Sequence, residues 1–231
     1  MTNEKEYARV TTQRISDEVR RLRGDRTTQW LADRTAELGY AISRSRISDL
    51  ERGDRGGFLN VAELLILARA LNTAPAMLLF PGLPGQEVEL FPEVIVESRM
   101  ALDWLVGDNS LLRKFAWRKG SEDRETASNP LLRAELLEEW QRNTQAIRLT
   151  KEHMRLLFEL GRQLEERQRW LDDHDNANAQ DLVVAAERFI RSTEQSLRVI
   201  RRQMREAGMI PPALPAGMAE NYDKDPGEDA E

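Results

Sequence analysis

Ser43 and Gly53 bracket nine residues, Arg44 to Arg52, whose pattern constrains this chain more than any other stretch. A serine hydroxyl caps helix N-termini, and glycine suits the left-handed turn that ends them. Between the two, Ile47 and Leu50 mark an apolar side, with Ile42 just ahead, while Arg44, Ser45, Ser48 and Asp49 occupy the other. A helix that short needs neighbours to bury its stripe.

The neighbours follow the same grammar. Ile15, Val19 and Leu22 recur at helical spacing and stop near Gly24. Thr27 and Thr28 offer caps for a second helix that carries Trp30, Leu31 and Ala32 and stops near Gly39. A fourth is expected over Val61–Leu71, with Leu64, Leu65, Leu67, Ala68 and Leu71 apolar, and a fifth over Pro75–Leu79, opening on a proline. The expected fold class is mainly α, with a five-helix unit over residues 8–82.

Charge becomes informative once divided. The net charge of -6 resolves into +2 over residues 1–82, with 13 Lys/Arg against 11 Asp/Glu, and -8 over the remainder. Arg9, Arg14, Arg20, Arg21, Arg23 and Arg26 precede the bracketed helix, and Arg44, Arg46, Arg52 and Arg55 lie in or just after it. For nucleic acid the local charge matters, not the total. A helix laid in the major groove presents basic or short polar residues at its N-terminal end. Ser45 and Ser48 are small enough for a deep approach, and Arg44 and Arg46 are of the type that reaches guanine O6 and N7.

The run TTQWLADRTAELG…ISRSRISDLERGDR…NVAELLILARALNTAPAMLLFPG, over residues 27–82, resembles the Xre family, the lambda-repressor-like helix-turn-helix, in the form found in actinobacteria and their phages. The resemblance rests on Leu31-Ala32, on Ile47-Ser48-x-Leu50-Glu51-x-Gly53, and on Leu67-Ala68-x-x-Leu71, in that order. It implies binding to double-stranded DNA, with Arg44, Ser45, Arg46 and Asp49 facing bases and Arg52 and Arg55 approaching the backbone. Two departures stand out. DRTAEL adds about a turn to the second helix, and the family's leading glutamine aligns with Thr28, with Gln29 one step on, so either is a candidate for phosphate contact. Trp30 reads as a packing residue and Glu51 as a helix–helix anchor. Asp49 either accepts from cytosine N4 or holds Arg46 or Arg52.

After Pro81 the pattern changes. EVEL and VIV suggest two short strands, and Ser98 suggests a cap for a helix with Met100, Ala101, Trp104 and Leu105, giving a linker module over 83–107 expected to dock on the fourth and fifth helices. From Asn129, Leu136, Trp140, Asn143, Ile147, Thr150, Met154, Leu157, Gly161, Leu164, Gln168 and Leu171 form a seam at steps of three and four, predicting one helix of about 60 Å. A second stripe, Leu182, Ala186, Phe189, Thr193, Leu197, Ile200, Met204 and Ala207, predicts an antiparallel return, the two forming a hairpin over 129–208. Leu149, Leu156, Leu160 and Trp170 lie off that seam, and the expectation is that a second copy covers them in a homodimer. The acidic stretch 209–231 is expected to be disordered.

Function classes narrow accordingly. There is no cysteine, so disulfides and thiolate chemistry are out. The polar N-terminus MTNEKEYARV and the lack of any apolar run of about 20 residues argue for a soluble cytoplasmic protein with no membrane association. KEHMR around His153 has the wrong order for a zinc protease, no phosphate loop or nucleophile elbow is present, and the acidic knot Asp172, Asp173, His174, Asp175 reads as a solvated turn. No catalytic residue, cofactor or metal is expected. The leading expectation is a dimeric transcriptional regulator, a repressor on paired half-sites. The alternative is an antitoxin-like or adaptor protein whose helical half binds a protein partner.

Overall fold

A computed structural model describes residues 2–53, 59–111, 129–173 and 176–214. The fold is mainly helical with one two-stranded sheet, and it divides into two compact units, Met1–Leu137 and Glu138–Glu231.

The first unit opens with α1 (Thr2–Arg23), which begins before the expected residue 8. Next comes α2 (Thr28–Glu37), capped by Thr27, whose Oγ1 accepts from the Trp30 amide at 3.0 Å. Ser43 caps α3 (Arg44–Arg52), and Gly53 closes it at φ 69°. Asn60 and Glu63 form a reciprocal capping box on α4 (Val61–Ala70), and α5 (Pro75–Leu79) starts on its proline. Ile15, Val19, Leu31, Ala32, Ile42, Ile47, Leu50, Leu67, Ala68, Leu71 and Leu78 bury together as one core. Fully burying a side chain such as Leu31 or Ile47 stabilises by about 1.5–3 kcal/mol. Helix α3 packs on both α1 and α2, so its orientation is fixed from two sides. The added turn of α2 has a use: Thr35, fully buried, donates from Oγ1 to the Ala32 carbonyl at 2.8 Å and accepts from the Ile42 amide at 3.0 Å. That bond ties the loop ahead of α3 to α2.

The expected hairpin forms from β1 (Glu87–Phe91) and β2 (Val94–Glu97), antiparallel, with Val88 opposite Val96 and a bulge between Glu89 and Phe91. Helix α6 (Ser98–Leu105) follows directly. Phe80, Val88, Leu90, Val96, Ala101 and Leu111 form a second small core, flanked by Phe91 edge-on to Trp104 at 4.9 Å. Two expectations are corrected here. Ser98 is not the cap of α6: Glu97 precedes the helix, and the Ser98 hydroxyl instead donates to the Gln86 carbonyl at 2.7 Å, with the Pro81 carbonyl at 3.2 Å. Docking also involves α1. Leu79 of α5 touches both cores, but the polar fastenings come from Tyr7, whose hydroxyl donates to the Leu90 carbonyl at 2.6 Å, and from Arg14, which donates to the Glu89 carbonyl at 3.0 Å.

The long helix expected from Asn129 is interrupted. Helix α7 (Pro130–Asn143) buries no side chain, and α8 (Gln145–Asp172) starts after Thr144. The Thr144 hydroxyl donates back to the Trp140 carbonyl at 2.8 Å, a bond that competes with regular helix geometry.

In the second unit α9 (Ala179–Glu206) returns along α8, so the hairpin is present, but its register differs from the predicted seam. The side chains α8 buries are Leu149, His153, Leu156, Leu160 and Gln163; those α9 buries are Val183, Ile190, Thr193, Leu197, Arg201 and Met204. Ile147, Met154, Leu171 and Phe189, placed on the seam by spacing, are exposed, and Phe158 is 78% exposed. The cause is that α8 carries two apolar stripes on opposite faces, and period alone does not say which one α9 covers. Since Leu149, Leu156 and Leu160 are buried within the chain, they no longer require a second copy. Part of the acidic tail is packed as well: the Pro212 carbonyl accepts from Arg201 at 2.8 Å, and Leu214 lies against the hairpin core. Residues 215–231, together with His174 and Asp175, lie outside the described residues. No helix among the described residues is long and apolar enough to cross a membrane.

Candidate nucleic-acid interface

The candidate site is built on the N-terminal half of α3 and the start of α2. Ser43 fixes the start of α3 by accepting from the Arg46 amide at 3.1 Å, and its hydroxyl also meets that of Ser45 at 3.0 Å. The first turn therefore leaves Arg44 and Ser45 exposed, while Ile47 and Leu50 enter the core. Arg44 has no hydrogen-bond or ion-pair partner among the described residues. Ser48 and Asp49 are half-buried on the following turn. At the start of α2, Thr28 is half-buried, and Gln29 is exposed with its amide on Asp33 at 2.7 Å.

Other predicted contacts are engaged within the chain. Arg46 makes a two-point pair with Glu63 of α4, Nε at 2.9 Å and Nη2 at 2.8 Å. Reading a guanine with that guanidinium would require breaking a charge-assisted fork, so the base-facing role expected of Arg46 has a competitor at home. The fork holds the Glu63 carboxyl below its ordinary pKa and raises that of Arg46. Asp49 Oδ1 accepts from Arg52 Nη2, the contact that the bracing reading of Asp49 expects, with the Arg52 side chain largely exposed and that of Asp49 half-buried. Arg55 lies outside the described residues.

Two anchors support α3 and the start of α2 from behind. Glu51 takes both Nε and Nη2 of Arg23, at 2.7 and 2.8 Å, with both side chains nearly buried. Arg23 also reaches the carbonyls of Gly24 and Arg26, so one side chain ties the end of α1, the turn after it and α3. Trp30 packs against the core beneath Arg26, whose guanidinium sits 4.0 Å from the ring centre. The Arg46–Glu63 link was missed in the sequence. Its signal was there: Asn60-x-x-Glu63 ahead of an apolar run is a capping-box pattern, and it places Glu63 in the first turn of α4.

Comparison with protein-family models, with curated proteins and with solved structures returns no match for this chain.

Proposed function

We propose that the chain is a sequence-specific double-stranded DNA-binding protein that inserts α3 into the major groove, in the manner of a lambda-repressor-like regulator. The observation that carries this reading is the first turn of α3, where Arg44 and Ser45 are exposed and Arg44 is uncommitted on a helix clamped at three points, by Ser43, Glu51 and Glu63. A rigid helix suits base readout because its backbone needs no ordering on binding, leaving the Arg44 side chain as the part to be fixed. In this arrangement Arg44 reads a base, Ser45 and Ser48 permit close approach, and Arg46 sets the pitch of α3 against α4. Arg52, Thr28 and Gln29 are assigned to the phosphates in this reading, as is Arg55, which is outside the described residues; such contacts position the protein without carrying sequence information. Paired half-sites call for two copies, and we assign the contact between copies to the exposed stripe of α8, Ile147, Met154 and Phe158, on the face opposite the hairpin seam.

Selection from random duplexes with the full chain, repeated with Arg44→Ala, tests the reading. The wild type should return a defined motif, and Arg44→Ala should lose about 1–3 kcal/mol on it and relax one base position. Absence of any duplex binding refutes DNA binding; an unchanged motif with Arg44→Ala refutes this register of α3. Light scattering distinguishes the assembly: a monomer at micromolar concentration that captures a different protein through the Phe158 stripe would favour the adaptor reading instead.

A further inference from the structure

An open cavity of about 470 Å³ lies where α1 meets the turn from Pro81 to Gln86, with Val10, Arg14 and Pro81 in its wall beside two further arginines, Arg9 and Arg21, and the acids Asp17 and Glu18. This volume falls within the range of small-molecule sites. The polar groups of its wall are not equivalent. Arg21 is held by Glu18 at 2.6 Å and Arg9 by Glu6 at 2.7 Å, and Asp17 accepts from Gln13 at 2.8 Å. Each acid of the wall thus already has a donor.

Arg14 is the exception. It is half-buried, and its one hydrogen bond runs from Nη1 to a backbone carbonyl, that of Glu89. Its Nε is shut off from solvent with no partner, and no carboxylate lies within ion-pair distance of it among the described residues. Burial pushes the Arg14 pKa down, outweighing the opposing pull of Tyr7 and of the Glu89 carboxylate. With Nη1 committed and Nε closed off, Nη2 is the donor left to a ligand in the groove, a charged N–H of the kind that takes one carboxylate oxygen. Val10 and Pro81 supply an apolar wall beside it. Three arginines against Asp17 and Glu18 leave the lining at about one positive charge, which suits a monoanion better than a phosphate dianion.

We propose that this groove binds a small organic carboxylate, its charged end on Nη2 of Arg14 and its apolar body against Val10 and Pro81. The ligand bridges α1 and the turn that leads into β1. The site is independent of the DNA-binding surface and does not rest on it.

The test follows the arginine Nε–H resonances of the full chain during titration with acetate, benzoate and indole-3-acetate, with benzamide and inorganic phosphate as controls. Saturable shifts of the Arg14 resonance by at least one aromatic carboxylate are expected, with benzamide weaker by at least about tenfold, because the lost contact is a charge-assisted one. Arg14→Met should abolish binding. Because that variant also removes the Glu89 fastening, Val10→Glu serves as the second: a carboxylate four residues before Arg14 fills the site from within, and should abolish binding while leaving the melting temperature unchanged or higher. No saturable shift with any of the three carboxylates, binding that survives Val10→Glu, or phosphate binding as tight as benzoate would overturn the proposal.

Discussion

Glu63 joins two jobs in one carboxylate, and removing it should cost more than either alone. Its Oε2 accepts from the Asn60 amide at 3.1 Å, closing the capping box of α4, and its two oxygens take the fork from Arg46. Loss of a cap costs about 1 kcal/mol. The pair itself sits between two regimes. Exposed pairs give about 0.2–1 kcal/mol, and hydrogen bonds to charged groups about 1.5–3 kcal/mol. With the side chains 30% and 10% exposed, a coupling of about 1–2 kcal/mol is expected after solvent screening. Glu63→Ala should therefore destabilise the first unit by about 2–3 kcal/mol, and Arg46→Ala by about 1–2 kcal/mol. The double-mutant cycle, read from hydrogen exchange of the α3 and α4 amides, isolates the pair. The coupling also has a pH signature. The fork lowers the folded pKa of Glu63 from its ordinary value near 4.5, so the stabilisation is fully present above that value and lost as pH falls through the lowered one. A coupling below about 0.5 kcal/mol at pH 7 would mean that Arg46 does not set the position of α3, and would return it to the pool of base readers.

Other substitutions separate support from contact. Glu51→Ala leaves Arg23 nearly buried and unpaired, and should cost about 3 kcal/mol in chemical denaturation of the first unit. Gly53→Ala forces a positive φ on a residue with a Cβ, which would also clash with the Gln13 side-chain oxygen; a loss of about 1 kcal/mol is expected, and no loss would mean the end of α3 relaxes. In the hairpin, read at a concentration where copies are dissociated, Leu160→Ala should cost about 2–5 kcal/mol whereas Phe158→Ala should cost under about 1 kcal/mol, the reverse of their size, because within one chain Leu160 is buried and Phe158 is exposed; Phe158→Ala should instead weaken association between copies. His153, fully buried beside Arg201 at 3.1 Å, has its pKa lowered by burial and by that cation, so hairpin stability is complete above the ordinary value of 6.5 and declines on acidification; His153→Gln should flatten the pH profile of the α8–α9 melt between pH 7 and 5.

The short helices were legible because each carries its own punctuation. Thr27, Ser43, Gly53 and Pro75 act through local backbone chemistry, and the structure uses each where the residue type demands. Side-chain engagement was less legible. Arg44 and Arg46 are the same residue type two positions apart, and what separates them is a carboxylate 17 residues beyond Arg46 in sequence, Glu63, which exists as a neighbour only once α4 has packed. The seam of α8 failed for a related reason. Leu149, Leu156 and Leu160 repeat as regularly as Ile147, Met154 and Phe158, and the chain buries a histidine and an arginine along the chosen stripe. No hydropathy pattern ranks such a stripe first, since its polar members cost burial that only specific contacts offset.

Tyr7 and Arg14 have a consequence for how the molecule behaves in a crowded solution. A two-stranded ribbon has two bare edges, and a bare edge is a template on which any passing extended chain can add a strand. Here the carbonyls of Glu89 and Leu90 receive their hydrogen bonds from side chains of a helix rather than from another strand. Side-chain donors satisfy those two acceptors without extending the ladder, so neither is left for an incoming strand. Removing both donors would leave two acceptors unmatched on a strand that carries Val88, Leu90 and Phe91, and should raise the tendency of the chain to self-associate through β1.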